Sequence, residues 1–337
     1  MAETVALARH IQFQKLARLL ASLVIGLVGL YIAVRGISWG AVMSVLATTV
    51  WWWIVPALIA LAASWYGTIV RQDLLLHPYS ASRRRLAGIF LVSYMVNTIL
   101  PWKLGTILRG YLVARASGTG VSFAMATVVV DRILDTAIVA ILFVILVLLI
   151  PLPDWLRDSG IIVAFLTVLA LLGLGGLALF ALLVNQGSLA QRYAHWRTRL
   201  RFGEVIHQSL RGLSVFQHRK LWLPLMWWTL FIAGTGILTN YFVLLALQIQ
   251  ISWLAAVAVL VTLLLGSKVP ASPGQVGIFH AIARATLSLF GVAPAVGLAY
   301  GVVLHALVVL LPAMLGALAA FAEGQGPLIR RGLRGDL

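Results

Sequence analysis

Nine ionisable side chains fall inside or beside apolar runs of this 337-residue chain: Lys103, Arg109, Asp131, Arg132, Asp135, Lys268, His280, Arg284 and His305. A charge held in hydrocarbon is costly, so each is a candidate for function. Asp131 and Asp135 are four apart and share one helix face, and Arg132 reaches Asp135 at a spacing of three. They form either an ion pair that locks this helix to a neighbour or a gating network, since a buried carboxylate needs a cationic partner in both cases. Lys103 and Arg109 follow one interruption of the apolar sequence, and Lys268 precedes another. Cations around a membrane cavity suit an anionic lipid headgroup, with Lys as a point charge and Arg as a bidentate donor to phosphate. The plainer alternative for Lys103 and Arg109 is snorkelling to the headgroups. Ser272 and His280 complete the candidate substrate-binding set, and His305 reads as a packing histidine.

The elements that must position these groups are two broken apolar stretches. The first runs from Asn97 to Gly105 and contains Pro101; the second runs from Lys268 to Gly277 and contains Pro270, Pro273 and Gly274. Broken backbone at membrane depth is tolerated only where protein or a water-filled cavity satisfies its polar groups, and paired breaks in two halves of a chain mark transport sites. The apolar arms around each break are short for a full crossing, so residues 86–117 and 254–290 are expected to form two re-entrant hairpins. Full spans are expected at 17–34, 49–70, 121–150, 160–184, 221–247 and 296–321. Basic residues then collect on one side, including Arg9, Lys15 and Arg18, Arg71 with Arg83 to Arg85, the stretch from Arg192 to Lys220, and Arg330 to Arg334. That side is expected to be cytoplasmic, with both termini on it. The hairpins then enter from opposite sides and meet near the midplane, an inverted arrangement. Residues 186–219 read as an interfacial helical segment, and Trp51 to Trp53, Trp155 and Trp253 as belt anchors at the other face. Gly297 and Gly301 permit close helix packing.

Composition agrees with this plan. Hydrophobic residues make up 62% of the chain and charged residues 10%, with no soluble stretch long enough for a second domain. The expected fold is an all-α polytopic membrane protein, one domain over residues 1–337. Its net charge of +16 is spread between apolar spans, which speaks for topology and against nucleic acid. With no cysteine, thiolate metal sites and cysteine nucleophiles are excluded. The apolar run after Lys15 and Arg18 is long and lacks a small-residue cleavage site, which argues against a secretory signal. No phosphate-binding loop, zinc motif or serine-nucleophile elbow is present, so neither catalytic residues, metal nor cofactor is expected.

The two breaks resemble the signatures of a flippase-like family named after the transmembrane region of lysylphosphatidylglycerol synthase. Pro101, Gly105 and Arg109 match its Pro-x-x-x-Gly-Glu-x-x-Arg stretch; Arg132 and Asp135 match its Arg-x-x-Asp; Pro273, Gly274 and Gly277 match its Pro-Gly-x-x-Gly-x-x-Glu. Thr106 and His280 stand where that pattern has glutamates, which implies a more positive site and altered coupling. The resemblance covers about 85–321 and implies translocation of a polar lipid between leaflets. Lysyl transfer is not expected without a soluble synthase portion.

The expected function is therefore flippase-like transport of a polar, anionic lipid across a bacterial cytoplasmic membrane. Lys103, Arg109 and Lys268 would bind phosphate, and Asp131, Arg132 and Asp135 would gate. Two alternatives remain at this level: a membrane scaffold for a lipid-modifying enzyme, and an intramembrane lipid phosphatase or transferase. Expected partners are a membrane lipid, with a second copy of the chain or a lipid-synthesis enzyme as a further possibility.

Overall fold

The computed structural model describes residues 24–100, 104–150, 218–267 and 273–322, with scattered positions between 161 and 208. All described elements are helical, and no strand occurs among the described residues. The chain is an all-helical membrane protein. Among the described residues, four helices are long and apolar enough to cross a bilayer, or five if a bent pair near the start counts as one span.

The bent pair is α1 (Val24–Val34) and α2 (Trp39–Ala47), which meet at 75°. Gly36 takes the left-handed backbone that the corner needs, and the Ser38 hydroxyl then caps α2 by accepting from the Ala41 amide. The expected span 17–34 therefore ends at a corner. A turn at Trp51–Trp53 opens α3 (Ile54–Leu75). This helix runs five residues beyond the expected 49–70 because Leu74 and Leu75 resume the apolar face after Arg71, Gln72 and Asp73.

Two shorter helices follow, α4 (Arg83–Ile99) and α5 (Leu104–Ser117), then the long α6 (Val121–Leu149) and α7 (Arg219–Ala246). A second short pair, α8 (Leu254–Gly266) and α9 (Ile278–Ser288), precedes α10 (Pro294–His305), a π-helical turn at Ala306–Leu310, and α11 (Leu311–Ala322). At 1.5 Å per residue, α4, α5, α8 and α9 measure only about 25, 21, 20 and 16 Å, against roughly 30 Å of hydrocarbon. Members of each short pair pack on one another. A β-carbon at Gly105 would lie 2.0 Å from the Ser93 carbonyl oxygen, so glycine is what lets α5 close against α4. Gly297 and Gly301 act as expected: α9 backbone at Arg284 and His280 lies 3.2 and 3.3 Å from where their β-carbons would stand.

Along the shared interface α3 packs on α7, and Gly67 admits Trp228, Phe231 and Ile232. One apolar cluster joins α1, α2 and α7 to α10 through residues such as Val243, Ala256, Phe279 and Tyr300; another joins α4, α5 and α6 through Val92, Leu112 and Phe123. Large apolar side chains such as Leu148, Leu223 and Phe321 face outward, as a lipid-facing surface requires. The interfacial segment 186–219 lies outside the described residues except at Gln208, His218 and Arg219, and both termini lie outside them.

Candidate functional site

The acidic pair on α6 meets a partner that sequence reading assigned to a surface loop. Arg71, fully buried near the end of α3, donates from Nε to Asp131 at 2.8 Å, from Nη2 to Asp135, and from Nη1 to the Thr229 hydroxyl of α7 at 3.3 Å. Its placement among loop cations is corrected: the α3 helix continues past it, so its side chain turns inward. Arg109 on α5 closes the other side, reaching Asp131 at 3.0 Å and the Gln72 side-chain oxygen at 2.9 Å. Gln72 in turn donates to Thr127 at 3.0 Å, and the Arg109 guanidinium lies 5.9 Å from the centre of the Phe90 ring.

Arg132 reaches Asp135 at 3.4 Å, as its spacing predicts, but on the half-exposed rim. Three guanidiniums thus meet two carboxylates, leaving one positive charge in excess within this described cluster. The cluster ties α3, α5, α6 and α7 together. Asp131 stands ten residues into α6, about 15 Å along that helix. Two fork-shaped donors on one buried carboxylate give it the hydrogen bonds that a charge out of water requires.

The second break forms a separate site. Gly274 and Gly277 both take positive φ, +68° and +91°, which turns the chain sharply into α9. A β-carbon at Gly277 would stand 2.1 Å from the Gly26 carbonyl, so α1 seats directly on this turn. His305 donates from Nε2 to the Gly274 carbonyl at 2.7 Å, and its ring centre lies 4.9 Å from that of His280. His280 Nδ1 accepts from the Gly277 amide at 3.4 Å. Immediately after His305 the π-helical turn presents the Val308 carbonyl to the Tyr94 hydroxyl of α4 at 2.6 Å. The turn Pro273–Gln275 itself lies against α4, where a β-carbon on Gly274 would come 3.8 Å from the Thr98 methyl. The end of α4 and the turn Pro273–Gln275 are therefore in contact.

Arg284 is spoken for elsewhere: it donates to the carbonyls of Ile32, Ala33 and Arg35 at 2.8, 2.9 and 3.2 Å, capping the end of α1. Thr106 accepts from the Asn97 amide at 3.4 Å. Pro101, Lys103, Lys268, Pro270 and Ser272 lie outside the described residues. Sequence reading missed Arg71, Gln72, Thr127 and Thr229. The available signal was the apolar run Leu74 to Leu76, which makes Arg71 an intrahelical charge. No group of metal-ligating side chains occurs among the described residues.

The family model for the lysylphosphatidylglycerol synthase TM region matches residues 19–316. The chain belongs to that family. The match includes the whole ion cluster and both breaks, so the lysylphosphatidylglycerol synthase TM-region family supplies the setting for both sites: a membrane protein of lipid-related function. No curated protein and no solved structure shows significant similarity to the chain.

Proposed function

We propose that this family member translocates a polar, anionic lipid between leaflets, with its headgroup passing through protein and its acyl chains remaining in lipid. The observation that carries this reading is the ion cluster, in which the buried Arg71 and Arg109 meet Asp131 and Asp135 while Arg132 stands in excess on the half-exposed rim, beside a short helix pair in a protein of lipid-related family. A surplus cation at the rim, backed by two buried guanidiniums, favours an incoming anion. Contact between Gly274 and α4 supports the reading of α4–α5 and α8–α9 as opposed re-entrant hairpins alongside the full spans. Arg109 and Arg71 would attract phosphate, while Asp131 and Asp135 hold the guanidiniums in place between passages. Lys103 and Lys268, by their place beside the breaks, would add charge to the same route. The protein works without changing its lipid chemically, in a bacterial cytoplasmic membrane with its basic end inside.

Purified protein in liposomes tests this directly. Faster leaflet exchange of a labelled anionic lipid is expected, with the lipid recovered unaltered. Asp135→Asn and Arg132→Gln, both at the half-exposed rim, should alter that rate while leaving the protein folded. Exchange no faster than in protein-free liposomes would sink the proposal, and a changed lipid mass would replace it with an enzyme.

A further inference from the structure

A cavity of about 590 Å³ opens between the end of α3 and the start of α7, outside the ion cluster. Its described lining is His77, His218, Arg219, Lys220 and Leu221, which brings together two imidazoles, a guanidinium and an ammonium, with no carboxylate among the described lining residues. The His77 and His218 rings meet edge to face at 4.5 Å, which fixes the two helix ends beside each other. We propose that this cavity binds a phosphate group carried on a lipid headgroup.

The chemistry fits one class of ligand. Arg219 offers a bidentate fork, Lys220 a compact charge, and the His218 imidazole a directional donor, a set suited to phosphate. The volume falls within the range of about 300–1,000 Å³ typical of small-ligand pockets. Its position favours a lipid source, because the cavity sits at the end of two apolar helices, where headgroups lie. That end also carries Arg83, Arg84 and Arg85 at the start of α4, so the local field draws anions from the membrane surface.

The cavity also lies in line with the ion cluster. Along α3, Leu74 and Leu75 stand between His77 and Arg71, together with Asp73, which pairs with Arg83 at 3.5 Å; along α7, Leu221 and Leu225 stand between Lys220 and Thr229. These leucines pack with Val130, Ile133 and Leu134 of α6 into one apolar layer. A phosphate docked at His218 and Arg219 is thus one apolar layer away from the buried guanidiniums. As a loading station for transport, this assignment rests on the proposed translocation; as a phosphate site it stands alone.

The test uses the full chain in neutral detergent, with calorimetric titration of dihexanoyl phosphatidic acid, dihexanoylglycerol and inorganic phosphate. Phosphatidic acid is expected to bind, dihexanoylglycerol is not, and the double variant R219Q/K220Q should weaken phosphatidic acid at least tenfold at an unchanged melting temperature. Both substituted side chains are exposed, so folding is preserved. Arg83→Gln removes a charge from the same end without touching the cavity and should leave affinity within twofold. Equal binding by R219Q/K220Q, or equal weakening by Arg83→Gln, overturns the site. Inorganic phosphate binding as tightly as the lipid overturns the lipid source in favour of free phosphate. Because no transport is measured, a chain that binds but moves no lipid keeps this site and loses the translocator reading.

Discussion

Arg71 is the residue on which the ion cluster turns, because one planar fork serves Asp131, Asp135 and Thr229 at once. Truncating one partner of a buried pair leaves the other charge stranded, at a cost of about 3–5 kcal/mol. Arg71→Ala should therefore lower unfolding stability by about that amount in detergent. Arg132→Gln, whose ion pair is half exposed, should cost about 1 kcal/mol or less. Equal losses would show that burial does not set the strength of these pairs. Arg71→Lys keeps the charge but offers no fork, so it should recover less than half of the loss. The α6 half of this cluster was legible in the sequence, since the spacing of Asp131, Arg132 and Asp135 is a local property. Its α3 half was not, because the Arg71 and Asp131 positions are 60 residues apart and no local pattern links them.

At the scale of elements, two glycines let helices meet where any side chain would hold them apart. Gly105 seats α5 on α4, and Gly277 seats α1 on the turn before α9. Gly277→Ala adds a positive-φ strain to a collision with the Gly26 carbonyl, and overpacking of this kind costs about 1–3 kcal/mol. Amides of α1 should exchange hydrogen faster in this variant while those of α4 and α5 keep their protection. Uniform loss of protection across the molecule would contradict a local docking role. His305→Phe tests the other contact, since it keeps the ring but leaves the Gly274 carbonyl without its donor, at about 1–3 kcal/mol. The breaks themselves were readable, because proline and glycine act within a few residues. What meets the second break was hidden, for His305 is 31 residues from Gly274, and the bond from Tyr94 that ties α4 to the π-helical turn spans 214 residues. The end of the first span was readable too, since Arg35 and Gly36 interrupt the apolar run; the second helix that leaves this corner at 75° was not.

For the whole molecule, the decisive question is how deep the two short pairs reach. Helices of about 25 and 21 Å, or 20 and 16 Å, stop short of the far side of a hydrocarbon layer roughly 30 Å thick. A hairpin that turns back at the midplane and a pair of complete spans both return to the side they left, so charge counts at the loops agree with either. Accessibility of the turning points separates them, and a cysteine-free chain makes the experiment clean. Single cysteines at Leu100, where α4 ends, and at Ser267, where α8 ends, mark the two turns. If both pairs are re-entrant, a membrane-impermeant maleimide applied at the basic end should not label Ser267→Cys, and one applied at the opposite end should not label Leu100→Cys. Control cysteines at Thr119 and Gly291, beyond α5 and α9, should label from the basic and the opposite end respectively. Complete spans reverse the result, because each turn would then emerge on the far side. Labelling of Leu100→Cys from the opposite end, with Thr119→Cys still labelled from the basic end, would place the first break outside the membrane. It would also remove the midplane meeting of the two breaks on which the transport route depends.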